Sequence, residues 1–323
     1  MMATSWYILL FAILGIVLCD ESQDVKIRYY YKSKDKYTEL PLDEAGKIFS
    51  FDWYDSSKTT VIFAHGFTGR PDGLAVAEVV NAYLRHGENN VAFLNWEHLA
   101  APVLPTLPAS YVNWAAPNAK KLGARVAEAL HIMQSAGMHL NNTHLVGHSL
   151  GAQIFGIAGN KMLESGIQLP WITALDPAAV GFEGRPLPMK LHAGSASFVA
   201  VIHSDPSKYG YSRPGGTVDF WPNYKNGAVK QPGCEARSGQ MFSPEDLCNH
   251  NRCWQLLTDA LKYPGSLLAS YAKNYRTWKN YSVDERSQNV LEIGKYYKED
   301  VTPGNYYFTT NAASPYGLGK NGL

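Results

Sequence analysis

Cysteine is scarce in this chain, and none of it falls in the Cys-x-x-Cys pairs that zinc sites use. The four cysteines stand at positions 19, 234, 248 and 253, so a structural zinc is not expected. An excess of charge of one sign is also lacking. Lys and Arg number 29 against 28 Asp and Glu, a net charge of +1. Binding a phosphate backbone needs a clustered positive excess, so nucleic acid is excluded as the main partner. The basic run Lys32-Ser33-Lys34-Asp35-Lys36 is interrupted by Asp35 and reads as a solvated turn. Beyond Leu18 no apolar run is long enough to span a bilayer. Internal repeats and low-complexity linkers are missing too, which points to one continuous core.

What is present begins at the amino terminus. Trp6 to Leu18 is an unbroken apolar stretch of signal-peptide length. Residues 1–19 are read as a secretory signal, with the mature chain starting at Asp20, although Met1–Ser5 carries no Lys or Arg. Export would remove Cys19 and leave three cysteines, hence one pair and one spare thiol. Two glycosylation sequons, at Asn141 and Asn280, become meaningful for a secreted, extracellular chain.

The mature chain alternates strand and helix signals. Val25–Tyr31 is β-branched and aromatic and reads as a strand. Turns are expected around Leu40–Leu42 and Asp55–Ser57. Thr59–Ala64, Asn90–Leu94, Thr143–Val146, Trp171–Leu175 and Ser197–His203 are short apolar runs typical of strands buried on both faces. Helical spacing appears from Gly73 to His86 (Leu74, Val76, Ala77, Val80, Leu84) and from Asn118 to Ala136, and a further helix is expected over Ala152–Met162. Such alternation predicts an α/β class with a mostly parallel central sheet and helices on both faces. The aromatic-rich tail after about residue 265 is expected to wrap the same core, giving one domain over 20–323.

Gly147-His148-Ser149-Leu150-Gly151 stands between a strand and a helix, the context of a nucleophile elbow. A serine hydroxyl needs a base, and the base needs a third group to orient it. In α/β-hydrolase order the acid and then the histidine follow the serine. Asp176 fits, because it ends the strand Trp171–Leu175 and Pro177 stops that strand; Asp205 and Asp219 are weaker competitors among turn residues. The base is one of His192, His203 and His250. His250 is favoured, two residues after Cys248 and at the start of an expected helix to Leu261. Two N–H donors are needed for the oxyanion. Leu150 follows the nucleophile, and Phe67 lies in the loop His65-Gly66-Phe67 after an early strand. His65 precedes the serine and is expected to be structural.

These segments resemble the animal pancreatic lipase family, in particular its short single-domain members related to phospholipase A1. The likeness runs through His65-Gly66-Phe67, the pentapeptide, Leu175-Asp176-Pro177-Ala178, Val201–Asp205, Asp219–Asn223, Gln231–Cys234 and Cys248–Arg252, in family order. It implies an α/β-hydrolase fold, a Ser149–Asp176–His250 triad and an acyl-enzyme mechanism without cofactor. It further implies a disulfide between Cys234 and Cys248 at the base of a lid over residues 235–247. This lid is only 13 residues long, and the loop Pro206–Gly215 is short too. In the family such short elements go with phospholipase A1 activity; triacylglycerol or general lipase activity is the alternative. A non-catalytic lipid carrier on the same fold is the alternative of another class, disfavoured because all three triad members are kept. Many relatives hold a structural calcium, but its positions match His192 and Ser195 here, so no metal is expected. Cys253 is expected to be a buried free thiol. The length implies no carboxyl-terminal β-sandwich, hence no colipase partner. A monomer acting on lipid at a membrane, micelle or emulsion surface is expected.

Overall fold

The computed structural model describes residues 25–225, 228–235, 239–299 and 301–323. The expected signal segment and its cleavage point lie outside the described residues, as do residues 236–238 of the expected lid. The chain is organised around a sheet of 11 strands. They are β1 (Lys26–Tyr31), β2 (Ser33–Pro41), β3 (Thr59–Ala64), β4 (Asn89–Asn95), β5 (Thr143–His148), β6 (Trp171–Leu175), β7 (Phe198–Ile202) and β8 (Val218–Pro222). After a small hairpin of β9 (Tyr224–Lys225) and β10 (Ala228–Val229) come β11 (Leu268–Tyr271), β12 (Val290–Glu292) and β13 (Gly304–Phe308). The spatial order is β12-β11-β13-β8-β7-β6-β5-β3-β4-β1-β2. From β13 across to β4 every neighbouring pair is parallel, and only the two margins are antiparallel.

The parallel centre follows from the apolar runs. Successive side chains of a strand face opposite sides, so a strand buried on both faces must be apolar throughout. Leu145 and Ile172 pack with one cluster, Val146 and Phe198 with another. The first cluster is covered by α2 (Ala116–Ser135) and α3 (Leu150–Glu164), the second by α1 (Leu74–Leu84) and α4 (Pro244–Lys262).

Four expectations are corrected. Lys32–Lys36 turns only at Lys32, in the left-handed region, and then enters β2. Its charges suit an edge strand, where they discourage pairing with another chain. Pro41 ends β2, and Leu42–Ser50 continues as a 3-10 helix rather than a simple turn. The carboxyl-terminal segment does join the same core, but by adding β11, β12 and β13 to the sheet, a role its sparse, Tyr-rich pattern did not announce. Leu74, expected on the core face of its helix, is 66% exposed; it begins α1 and lines the cavity described below.

His144 of β5 shows how tightly the layers close. It is buried, bonds Thr173 Oγ1 on β6 at 2.8 Å and stacks on Trp171 at 3.3 Å. Burial holds its pKa well below the ordinary value. The unfolded chain therefore binds a proton near pH 6.5 that the folded chain refuses, so stability is fully present above that pH and is lost as pH falls below it. Urea midpoints should drop between pH 7 and 5, and His144→Gln should flatten that dependence. An unchanged slope would show that His144 titrates normally in the fold.

Candidate active site

Ser149 sits between β5 and α3 with φ 55° and ψ −114°, a conformation that ordinary residues avoid. Such strain persists only where the surroundings impose it. Here the strand and helix meet so closely that a Cβ on Gly147 would lie 2.4 Å from Ala152 N, and one on Gly151 would lie 2.2 Å from the Ala64 carbonyl oxygen. Only glycine fits either place. Ser149 N–H donates to Leu175 O at 3.0 Å, which ties the elbow to the next strand.

Asp176 follows β6 and is fully buried, also at positive φ. Its Oδ1 accepts from Ser204 N and Asp205 N, each at 2.9 Å. Its Oδ2 accepts from His250 Nδ1–H at 2.5 Å. With Nδ1 donating, Nε2 of His250 is the atom left to take a proton. Ser149 and His250 line one cavity of about 520 Å³. The walls of that cavity are largely apolar, with Phe67, Tyr111, Phe242 and Trp254 among them.

His250 does not start its helix, as its sequence position had suggested. Helix α4 begins at Pro244, where Ser243 Oγ caps it by accepting from Asp246 N at 3.2 Å, and His250 lies in the second turn. The histidine is held from behind through its carbonyl, which accepts from Ser204 Oγ at 3.3 Å and from Cys253 Sγ at 3.1 Å. Cys253 is a buried free thiol, as expected. Cys234 and Cys248 form a disulfide with Cα atoms 5.7 Å apart, at the turn preceding His250.

The competing candidates find other partners. His203 and Asp219 pair with each other: Nε2 donates to Asp219 Oδ1 at 2.8 Å in a fully buried contact. His203 also stacks on Trp221 at 3.8 Å. His192 accepts from Gly194 N at 3.0 Å, and Ser195 Oγ donates to Asn160 Oδ1 at 2.8 Å. Both residues close their own turn and offer no carboxylate to a hard cation. His65 is buried, stacked on Trp96 at 5.4 Å, and lowered by burial to a pKa of about 4, so it stays neutral. His148 is likewise driven well below the ordinary value, first by burial and then by the neighbouring His250.

Phe67 lies in the loop after β3 and Leu150 is the first residue of α3. Neither backbone N–H is donated to another group among the described residues. Asn141 and Asn280 are both exposed. A polar chain not foreseen from the sequence braces the site. Asn249 Oδ1 accepts from Gln231 N at 2.8 Å, and Gln231 Nε2 donates to Ser204 O at 3.0 Å. Asn223 donates in turn to Gln231 Oε1 at 2.9 Å. These residues stand in the motifs quoted above, but nothing local in the sequence signals that they meet.

The chain matches the family model described as Lipase over residues 18–316. It is 33% identical over 226 residues to lipase member H of Oryctolagus cuniculus, covering 69% of this chain and 47% of that protein. It is 28% identical over 302 residues to phospholipase A1 of Vespa crabro, covering 92% of this chain and 96% of the wasp protein. It is 28% identical over 264 residues to pancreatic triacylglycerol lipase of Mus musculus, covering 76% and 53%. The chain thus spans about half the length of the two vertebrate relatives and nearly all of the wasp one.

Gly210 supplies a test of the carboxylate's placement. A Cβ there would sit 2.3 Å from Asp176 Oδ1. Gly210→Ala should push the carboxylate away from Ser204 and Asp205 and reduce kcat on a soluble ester by about tenfold or more, with KM little changed. Wild-type kcat in that variant would show that Asp176 need not sit where it does.

Proposed function

The chain belongs to the lipase family, and from that premise we propose that it is a secreted serine hydrolase of lipid carboxyl esters, of the phospholipase A1 kind. The observation that carries the reading is the 2.5 Å bond from His250 to the buried Asp176, with Ser149 in the same cavity. His250 Nε2 takes the proton of Ser149 Oγ as Oγ attacks the ester carbonyl. Asp176 holds the imidazole in the tautomer that leaves Nε2 free and stabilises the cation that forms. The N–H groups of Phe67 and Leu150 receive the oxyanion. His250 returns the proton to the leaving alcohol, and water, activated by the same nitrogen, releases the fatty acid from the acyl-serine.

The phospholipase reading is supported by the end-to-end similarity to the wasp phospholipase A1. It is also supported by the short 13-residue segment closed by the disulfide. A short cover leaves polar headgroups room at the cleft. Similarity to pancreatic triacylglycerol lipase favours triacylglycerol as the second substrate to consider. Export is supported by the apolar run Trp6–Leu18 and by the disulfide, a bond that persists in oxidising compartments. Among the described residues no helix is long and apolar enough to cross a membrane. The enzyme is taken to act as a monomer at a lipid surface, without colipase.

Ser149→Ala should lower turnover by about 10⁴-fold or more; near-wild-type release of fatty acid would sink the assignment. Wild-type protein should release fatty acid faster from phosphatidylcholine than from a triacylglycerol emulsion, and the reverse order would make it a triacylglycerol lipase. Because the base must be neutral, kcat/KM should fall on the acid side of the pH profile. A flat profile from pH 5 to 8 would exclude a histidine base.

A further inference from the structure

A second cavity, of about 510 Å³, adjoins the catalytic one: Arg70 and Val76 belong to the walls of both. The two differ in chemistry. Over Ser149 the walls are mostly aromatic and aliphatic, with Arg70 and Lys208 the cations among them. In the second cavity they carry Arg28, Lys34 and Arg70 together with Asp35, Asp72 and Glu97. We infer that this second cavity is a headgroup subsite, which holds the phosphate and ammonium of a zwitterionic glycerophospholipid whose acyl ester lies over Ser149. The inference rests on the ester-hydrolase reading above and narrows its substrate class.

The charges are arranged for exchange. Lys34 pairs with Asp35 at 2.6 Å, with side chains 46% and 75% exposed. Arg70 grips Asp72 with two bonds, at 3.0 and 2.8 Å, with side chains 62% and 70% exposed. Exposed pairs of this kind contribute little, because water and salt screen them. A phosphate can therefore replace either carboxylate at little cost, and arginine can receive it with two parallel bonds. Arg28 is different. Its side chain is only 14% exposed, with the guanidinium bonded to Glu39 at 3.0 Å and lying 3.9 Å over the ring of Tyr37. It is a fixed positive wall rather than a mobile one.

Glu97 decides which headgroup fits. It lines the same cavity as the three cations and its charge acts on Arg70, though among the described residues the two form no direct ion pair. An anionic headgroup without an amine would satisfy the cations but leave the acids facing its negative charge. A neutral glyceride would use neither sign. A headgroup with a phosphate and an ammonium matches both, and its diacylglycerol part is left to the apolar cavity.

The test uses full-length mature protein and mixed micelles of phosphatidylcholine, phosphatidylglycerol or diacylglycerol with identical acyl chains, measuring fatty acid release. The double variant Lys34→Ala/Arg70→Ala should lower the phosphatidylcholine-to-diacylglycerol rate ratio by about tenfold. Glu97→Gln should lower the phosphatidylcholine-to-phosphatidylglycerol ratio by a few fold. Circular dichroism checks that each variant is folded. Ratios unchanged in both variants, or rates on all three lipids falling together, overturn the subsite and leave the hydrolase reading standing. Wild-type protein that cleaves no ester at all overturns both.

Discussion

The bond from His250 to Asp176 is the contact on which the rest of the structure depends. A carboxylate removed from water is costly unless donors replace the water. Asp176 meets this with two backbone N–H groups and one imidazole. Acceptor and donors come from three parts of the chain: Asp176 from the end of β6, Ser204 and Asp205 from the loop after β7, and His250 from the second turn of α4. The three can meet only because β6 and β7 are parallel neighbours, so that their carboxyl ends open on the same edge. This is the edge at which open α/β sheets gather their chemistry.

Much of the surrounding polar structure serves to keep that meeting point still. The buried His203–Asp219 pair anchors the loop that supplies Ser204 and Asp205. The chain Asn223–Gln231–Asn249 links that loop to α4, and the Cys234–Cys248 bridge ties the same helix to the preceding segment. A second dyad of His and Asp beside the first is thus a brace and not a spare catalyst: its groups bond each other and do not line the cavity over Ser149. The motif residues outside the triad find their explanation in these contacts.

In the proposed reading, chemistry and selection fall on different surfaces. The groups of the proposed triad are buried and over-determined, from the left-handed Ser149 to the glycines that let strand and helix touch. The groups that would sort substrates are more exposed and weakly paired, as with Lys34 and Arg70. Weak surface pairs can be rearranged by a ligand without disturbing the core.

What the residues determined by themselves is what consecutive positions can encode. The apolar runs announced the parallel strands, because a strand buried on both faces has no place for polar side chains. The elbow was legible because a strained turn between strand and helix demands small residues at fixed offsets. Asp176 was legible because it ends a strand before Pro177. His250 was already favoured over His203 and His192 by its neighbouring Cys248 and by the family motif; the tertiary structure supplied the physical reason, since His250 meets Asp176 while His203 pairs with Asp219 and His192 bonds Gly194 N. It also placed His250 inside a longer helix, drew β11–β13 into the sheet, and set a charged cavity beside the apolar one. Those features join residues far apart in sequence, and no local pattern records the distance between them.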